Sequence, residues 1–431
     1  MARVDTRVWA DWLDAGLSRR ERRPCRYDAY IPDPLADVRL HLPSDVAADV
    51  SDAERAIHDL NASGPRLASL DALARLLLRA EAVASSHIEG LEVGVGRLAR
   101  AEAAAGENQS INDVTAEAVL GNIRAMELTV SQLASKTPLA VEDVLAIHAA
   151  LMERTTTQAV GGQVRTSQNW IGGNDLNPCG ADFVPPPPEL VPDLLADLVE
   201  FLNEADHPPL VQAALAHAQF ETIHPFADGN GRVGRTLIHL VLRRRGLAPR
   251  YVPPISLVFA TESRTYIAGL TAYRYIGPPG TPLASERIAN WIATFASAAT
   301  RATADARQLE LDIDALEQQW RLQAAPVRKN SAADLLLGML ASAPVITVRT
   351  AEKFTGRTFQ AVDLAIHHLV RAGVLKQITV GRRNRAFEAV GLLDALTTIE
   401  RRLASPARDT REAPVVRRVP YRRSAPADGL R

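Results

Sequence analysis

Twelve consecutive residues, 224–235, bring together the side chains most able to act in concert: His-Pro-Phe-Ala-Asp-Gly-Asn-Gly-Arg-Val-Gly-Arg. His224 is a candidate base, because an imidazole ordinarily titrates near neutrality. Asp228 is a hard carboxylate of the kind that holds Mg2+. Around Asn230, Gly229 and Gly231 leave backbone N–H groups open to an anion, since glycine has no Cβ to keep it away. Arg232 and Arg235 add guanidinium forks that match phosphate oxygens. Residues 210–220 and 236–243 read as helices, the second apolar on every side and so expected to be buried. The loop between them then delivers its amides at a helix N-terminus, a geometry suited to anions. The two arginines, three residues apart, share a face of that helix.

The stretch resembles the Fic motif, His-Pro-Phe-x-[Asp/Glu]-Gly-Asn-Gly-Arg-x-x-Arg, and meets it at every defined position. The resemblance implies a mainly α protein, a helical bundle with a β-hairpin flap. It also implies transfer of AMP from ATP to a Ser, Thr or Tyr hydroxyl of a target protein. On that reading His224 takes the hydroxyl proton and Asp228 holds Mg2+. The amides of residues 229–231 and the Asn230 side chain steady the charge on the transferred phosphate. Arg232 holds the departing β- and γ-phosphates, Arg235 holds the γ-phosphate, and Phe226 fixes the loop from the core side.

Three further stretches fit the same resemblance. Ser85-Ser86-His87-Ile88-Glu89-Gly90 is similar to the inhibitory motif of the family, with Ser85 and Glu89 one helical turn apart and Gly90 as the helix stop. Carried over, Glu89 pairs with Arg235 and excludes the γ-phosphate. Residues 161–184 read as two strands, 164–171 and 181–184, joined by turn residues. They look like the flap, with Arg165, Asn169, Trp170 and Ile171 along an edge on which an extended target segment would pair. Relatives often carry paired tyrosines near the adenine; here the sequence is Thr265-Tyr266, so only Tyr266 matches. The partners implied are a target protein at the flap, the chain itself as a target, and a second copy in a homodimer.

The elements that must position these residues follow from length and pattern. A chain of 431 residues exceeds one domain's usual length. We expect an arm at 1–26, a helical region at 27–110 with the inhibitory helix at about 67–90, and a catalytic core at 111–305. A linker helix at 306–330, a further domain at 331–402 and a basic unfolded tail at 403–431 complete the order. The rhythm of 331–402 resembles a winged-helix domain, with 358–372 as recognition helix and an Arg-rich wing tip at 381–385. The surface of the recognition helix (Gln360, Asp363, His367, His368) is not basic, so contact with DNA is the weaker reading and a protein contact the stronger. His148, His217 and His239 lie on apolar helix faces and are expected as hydrogen-bonded core residues.

Composition narrows the rest. The formal net charge is −1, which gives no signal for nucleic acid or membrane. Cys25 and Cys179 are far apart and give no expectation of a disulfide framework or metal cluster. No apolar run near the start reads as a secretory leader, and none is long enough for a spanning helix, so a cytoplasmic protein is the plain expectation. Two alternatives stay open. The same core motif serves removal of AMP, or transfer of another nucleotide or phosphate-linked group. A nucleotide-sensing DNA-binding regulator is the alternative from another class, although a sensor would not need the base His224.

Overall fold

The computed structural model describes residues 1–10, 24–35, 40–62, 70–107, 113–155, 157–173, 177–380 and 384–403. The chain opens with antiparallel strands β1 (Arg3–Trp9) and β2 (Cys25–Ile31), in register from Arg3 opposite Ile31 to Trp9 opposite Cys25. Helices α1 (Ser44–Ala62), α2 (Leu70–Ile88), α3 (Val95–Gly106), α4 (Val114–Ser131) and α5 (Val141–Met152) follow. After an irregular stretch come α6 (Val191–Asn203), α7 (Pro209–Ile223), α8 (Asn230–Arg244), α9 (Ile255–Thr261), α10 (Ser263–Tyr273) and α11 (Pro282–Gln323). The C-terminal unit runs α12 (Ala332–Leu340), β3 (Val345–Thr347), α13 (Val348–Thr355), α14 (Phe359–Arg371), β4 (Leu375–Val380), β5 (Asn384–Ala389) and α15 (Leu392–Leu403).

Helices α7 and α8 form the axis of the larger core. Pro209 starts α7, where a missing N–H costs nothing, and Leu210 to Ile223 are all buried. From α8, Asn230 to Leu242 are buried as well. A helix hidden on every side needs neighbours all round. Phe220, Phe226, Leu237, Trp291 and Phe295 share that core with residues of α1, α5 and α6. Trp291 satisfies its indole N–H on the Ala214 carbonyl at 2.8 Å. Gly121 lets α4 come close to the end of α5: a Cβ there would stand 2.5 Å from the Leu151 carbonyl oxygen.

Several expected elements take another form. The N-terminal residues expected as an irregular arm supply β1 and part of β2. Cys25 and Cys179, expected unlinked, are bonded as a disulfide with Cα atoms 6.1 Å apart. The fold closes the gap of 154 residues that their spacing leaves open. Among the described residues the flap is not a two-stranded ladder: its backbone pairing is the single bridge Ile171–Phe183. Its backbone is engaged elsewhere: Tyr30 N–H donates to the Val184 carbonyl and Arg165 N–H to the Pro225 carbonyl, each at 2.9 Å. Trp9 meets Trp170 edge to face at 5.6 Å, and Arg7 pairs with Glu189 at 2.6 Å, so the N-terminal hairpin braces this segment.

The linker helix expected at 306–330 is not a separate element but the continuation of α11. No Gly or Pro follows Pro282 within α11, and Thr281 caps its start by accepting from Ala284 N–H, so one helix continues for 42 residues. It leaves the larger core and enters a second one, where Leu309, Ile313 and Trp320 pack with Leu336, Ile366 and Leu369. Leu73, Leu76 and Leu77 of α2 belong to this second core. In the C-terminal unit the strands lie in the order β3-β5-β4, all antiparallel, and two helices stand between β3 and β4. Three residues of the expected wing tip, 381–383, and the tail from 404 onward lie outside the described residues. Helix α3 adds an element to the helical region expected at 27–110. It seats Ala99, Ala103 and Ala104 against Val345 and Ala386.

The Gly121 contact gives a direct check on this packing. Gly121→Ala should destabilise the chain by about 1–3 kcal/mol through overpacking against backbone that cannot swing aside. A drop in the urea or thermal unfolding midpoint measures it, and Ala125→Gly on the same helix serves as the contrasting change.

Candidate functional site

The loop between α7 and α8 is closed by its own side chains. Helix α7 ends at His224, which takes the left-handed conformation with φ 50°. That conformation is uncommon for a residue with a Cβ and marks a position fixed by its surroundings. Asn230 accepts from Phe226 N–H and donates to the Phe226 carbonyl, both at 2.8 Å. Its carboxamide therefore shapes the loop rather than facing a phosphate, unlike the expectation. Phe226 is wholly buried and stacks on the His148 ring at 3.7 Å. His148 accepts from Gly162 N–H through Nδ1 at 3.0 Å, which leaves Nε2 to donate to the Asp228 carbonyl at 3.1 Å. Burial pushes this imidazole down to about 4, so it holds the loop as a neutral ring.

Arg165 has a different place from the one expected. It is 5% exposed and donates to the carbonyls of His224 at 2.8 Å, Ser167 at 3.1 Å and Pro186 at 2.6 Å. A guanidinium used this way fastens the flap to the loop at 224–235 and is not offered to a target. Asn169 acts in the same sense, donating to the Phe226 carbonyl at 3.0 Å. Trp170 packs on Trp9, while Ile171 keeps 38% of its surface exposed at the flap edge. Tyr266 is also drawn inward. Its hydroxyl meets His217 Nε2 at 3.0 Å and its ring stacks on Phe259 at 4.4 Å, so the structure does not present it to an adenine.

The remaining loop residues face one another. Burial, followed by the charge of Arg274, pushes the His224 imidazole down to about 4. The ring is thus neutral at physiological pH and able to accept a proton. Asp228 is half exposed, with one oxygen accepting from Gly229 N–H at 2.6 Å and the other from the Thr157 hydroxyl at 3.3 Å. Arg232 is buried, yet its Nε and Nη1 have no hydrogen-bond partner among the described residues. Its Nη2 stands 3.6 Å from Asp228. Two unpartnered guanidinium nitrogens beside an accessible carboxylate fit an incoming polyphosphate and a divalent cation. Asp228 alone among the motif residues offers a carboxylate, and no cluster of three or more metal-ligating side chains occurs among the described residues.

Arg235 is 1% exposed and fully engaged by α2. It donates from Nε to the Ser85 hydroxyl at 2.9 Å, and from Nη2 to the Ser85 carbonyl and to Glu89 Oε1, each at 2.7 Å. Burial alone would push the Glu89 carboxyl up, but Arg235 and then Arg232 hold it below its ordinary value. Glu89 retains 36% of its side-chain surface. Its Oε1 also lies over the start of α8: a Cβ on Gly231 would come within 2.0 Å of it. A carboxylate therefore occupies the anion position that the helix N-terminus and Arg235 create. Gly90, at φ 77°, turns the chain away just after it.

Two residues at the site were missed by sequence reasoning. Arg274 lies over the Phe183 ring at 3.5 Å, and no local pattern marks it. Glu221 sits one turn before His224, 6% exposed. The wholly apolar surroundings of α7 are the signal that would have found it, since any carboxyl on such a helix must be buried. His239 donates to or accepts from Glu81 at 2.8 Å and, like His217, is a core residue as expected.

Residues 138–242 match the Fic/DOC family, and residues 47–131 match the Fic/DOC family N-terminal region. The protein adenylyltransferase fic-1 of Caenorhabditis elegans is 30% identical over 223 residues, which cover 49% of this chain and 40% of that protein. Its namesake in Caenorhabditis briggsae is 31% identical over 153 residues, 34% of this chain and 27% of the relative. A probable protein adenylyltransferase of Aquifex aeolicus is 45% identical over 75 residues, 17% and 23% of the two chains. The matches thus span 23% to 40% of the lengths of these relatives. A solved Fic family protein from Desulfovibrio desulfuricans G20 aligns with a TM-score of 0.49 at 20% identity, over 82% of this chain and 98% of that one. The loop at 224–235 falls inside the region that matches the Fic/DOC family, and Glu89 inside the region that matches that family's N-terminal part.

Proposed function

We propose that this chain is a protein adenylyltransferase that moves AMP from ATP to a hydroxyl side chain of a target protein, and that Glu89 holds it inactive. The observation that carries the reading is the pairing of Arg235 with Glu89 above Gly231, beside an Arg232 two of whose guanidinium nitrogens lack partners among the described residues. A site built for two anionic groups, with one place filled by the chain's own carboxylate, is what a restrained polyphosphate site requires. The names of the relatives support the same chemistry.

The roles follow from the geometry. Neutral His224 takes the proton of the target hydroxyl as its oxygen attacks the α-phosphorus. Backbone N–H groups at the start of α8 steady the charge on the transferred phosphate. Arg232 takes the β- and γ-phosphates through the nitrogens that lack partners, and Arg235 takes the γ-phosphate once Glu89 leaves. Asp228 would hold Mg2+, which when bound neutralises phosphate charge and completes its shell with phosphate oxygens and water. The target is engaged at the flap edge around Ile171, which keeps 38% of its surface exposed.

Three outcomes test this in full-length protein with labelled ATP and a cell lysate. Glu89→Gly should raise AMP labelling of targets or of the chain itself by roughly tenfold or more, because it frees Arg235 for the γ-phosphate. His224→Ala in that background should lower labelling by roughly 10²–10⁴-fold, the usual worth of a positioned base. Chelation of divalent cations should abolish labelling, and added Mg2+ should restore it. Labelling by His224→Ala equal to that of its parent would refute the mechanism.

A further inference from the structure

Beside the base lies a charged group to which the reading above gives no task. Oε2 of Glu221 stands 3.9 Å from Nδ1 of His224, one turn along α7. Neither Glu221 Oε1 nor His224 Nδ1 has a hydrogen-bond partner among the described residues. Buried polar atoms are rarely left unpaired, so an unpaired carboxyl oxygen and an unpaired ring nitrogen on neighbouring side chains need an explanation. The surroundings are shaped to admit the carboxyl. A Cβ on Gly234 of α8 would stand 2.7 Å from Glu221 Oε1 and 3.3 Å from His217 Nδ1. Position 234 is undefined in the motif; here it is the one residue type that leaves room for this carboxyl.

The charges around the pair come from every side. Burial pushes the Glu221 carboxyl up to about 7; Arg235 from α8 pulls it down, Glu89 from α2 pushes it up, and Arg274 beyond α10 pulls it down. Tyr266 from α10 and His217 from α7 complete the enclosure. His224 is faced by Arg274, Glu89 and Arg165, and by the Glu221 backbone carbonyl. That carbonyl can orient the ring but supplies no charge.

Taking the AMP-transfer reading as its basis, we propose that Glu221 is a positioning residue for His224. Its carboxylate accepts Nδ1–H, holds the ring in the tautomer whose Nε2 carries the lone pair, and balances the imidazolium that forms. A shortening of ~1 Å brings the two groups to hydrogen-bond length. In the step, the target O–H bond breaks and Nε2–H forms. The oxygen pair bonds to the α-phosphorus, and the bond to pyrophosphate breaks. Glu221 neither gains nor loses a proton.

Glu221→Gln separates carboxylate from carbonyl, since it keeps the carbonyl and the side-chain shape. In the Glu89→Gly background it should lower kcat roughly ten- to hundredfold with KM for ATP unchanged. It should also remove the rise of kcat with pH that ionisation of Glu221 gives the parent, and Glu221→Asp should keep part of that rise. Equal kcat with an unchanged pH profile overturns the proposal. A second readout needs no activity. In the unliganded full chain with 15N-labelled histidine, the His224 Nδ1 resonance should show an inflection at about pH 7. The inflection should move lower in Glu89→Gly, because Glu89 pushes the Glu221 carboxyl up, and vanish in Glu221→Gln. No inflection in the wild type, or the same one in Glu221→Gln, overturns the proposal on its own. If the inflection behaves as stated while Glu89→Gly transfers no AMP, the reaction assignment fails and the Glu221–His224 coupling stands. Folding is checked in the same samples. Stability tied to protonated Glu221 is complete below its ordinary value of 4.5 and is lost as pH rises through about 7. Glu221→Gln should therefore unfold at a progressively higher temperature relative to wild type over that range.

Discussion

A guanidinium that is 1% exposed cannot stay without an anion, and Arg235 is the point from which the rest of this structure is arranged. Arginine does not escape burial by losing its proton. Stranding such a charge costs several kcal/mol, so some acceptor must always face it. In this chain the acceptors are the Ser85 hydroxyl, the Ser85 carbonyl and the Glu89 carboxylate, all from one end of α2. The placement of α2 against α8 follows from that need. So does the state of the anion site, because any phosphate that enters must take over the role Glu89 now fills. Inhibition, on this reading, is the solution to an electrostatic problem that the catalytic arginine itself creates.

Around that point the loop is held from three directions by neutral or spread-out groups. Asn230 closes it from within, His148 supports it from α5, and Arg165 of the flap segment donates to the His224 and Ile223 carbonyls at its start as well as to those of Ser167 and Pro186. None of these side chains is free to meet a ligand. Their work is to keep His224 in a left-handed backbone conformation and Asp228 turned toward solvent. Catalytic groups on a loop this firmly set need little reorganisation when substrate arrives, which is where electrostatic catalysis gains most.

What could be read from the sequence was what lies within one or two helical turns. The loop at 224–235 declared its chemistry because its residue types and spacing are local. Ser85 and Glu89 were legible for the same reason, and the structure brings them to Arg235. Arg165 and Asn169 were visible as flap residues, but their direction depends on carbonyls nearly 60 residues away, which spacing does not encode. Tyr266 lost its expected place to an aromatic cluster assembled from three helices. The Cys25–Cys179 bond and the single-bridge flap arise together, from an N-terminal hairpin that propensity alone did not reveal. Glu221 was legible in principle, as a carboxyl on a helix with no solvent face.

Gly231 gives the molecule an uneven genetic landscape. The absent Cβ at that position is what lets Glu89 reach the start of α8, and the same space is what a phosphate needs. On the proposed reading, a substitution there that expels Glu89 also bars the phosphate, so the loop offers no easy route to a constitutively active form. Gain-of-function lesions would then be confined to the other partner, at Ser85, Glu89 and the turn at Gly90. A selection for hyperactive variants would fill the end of α2 and the turn after it with hits and leave residues 224–235 silent.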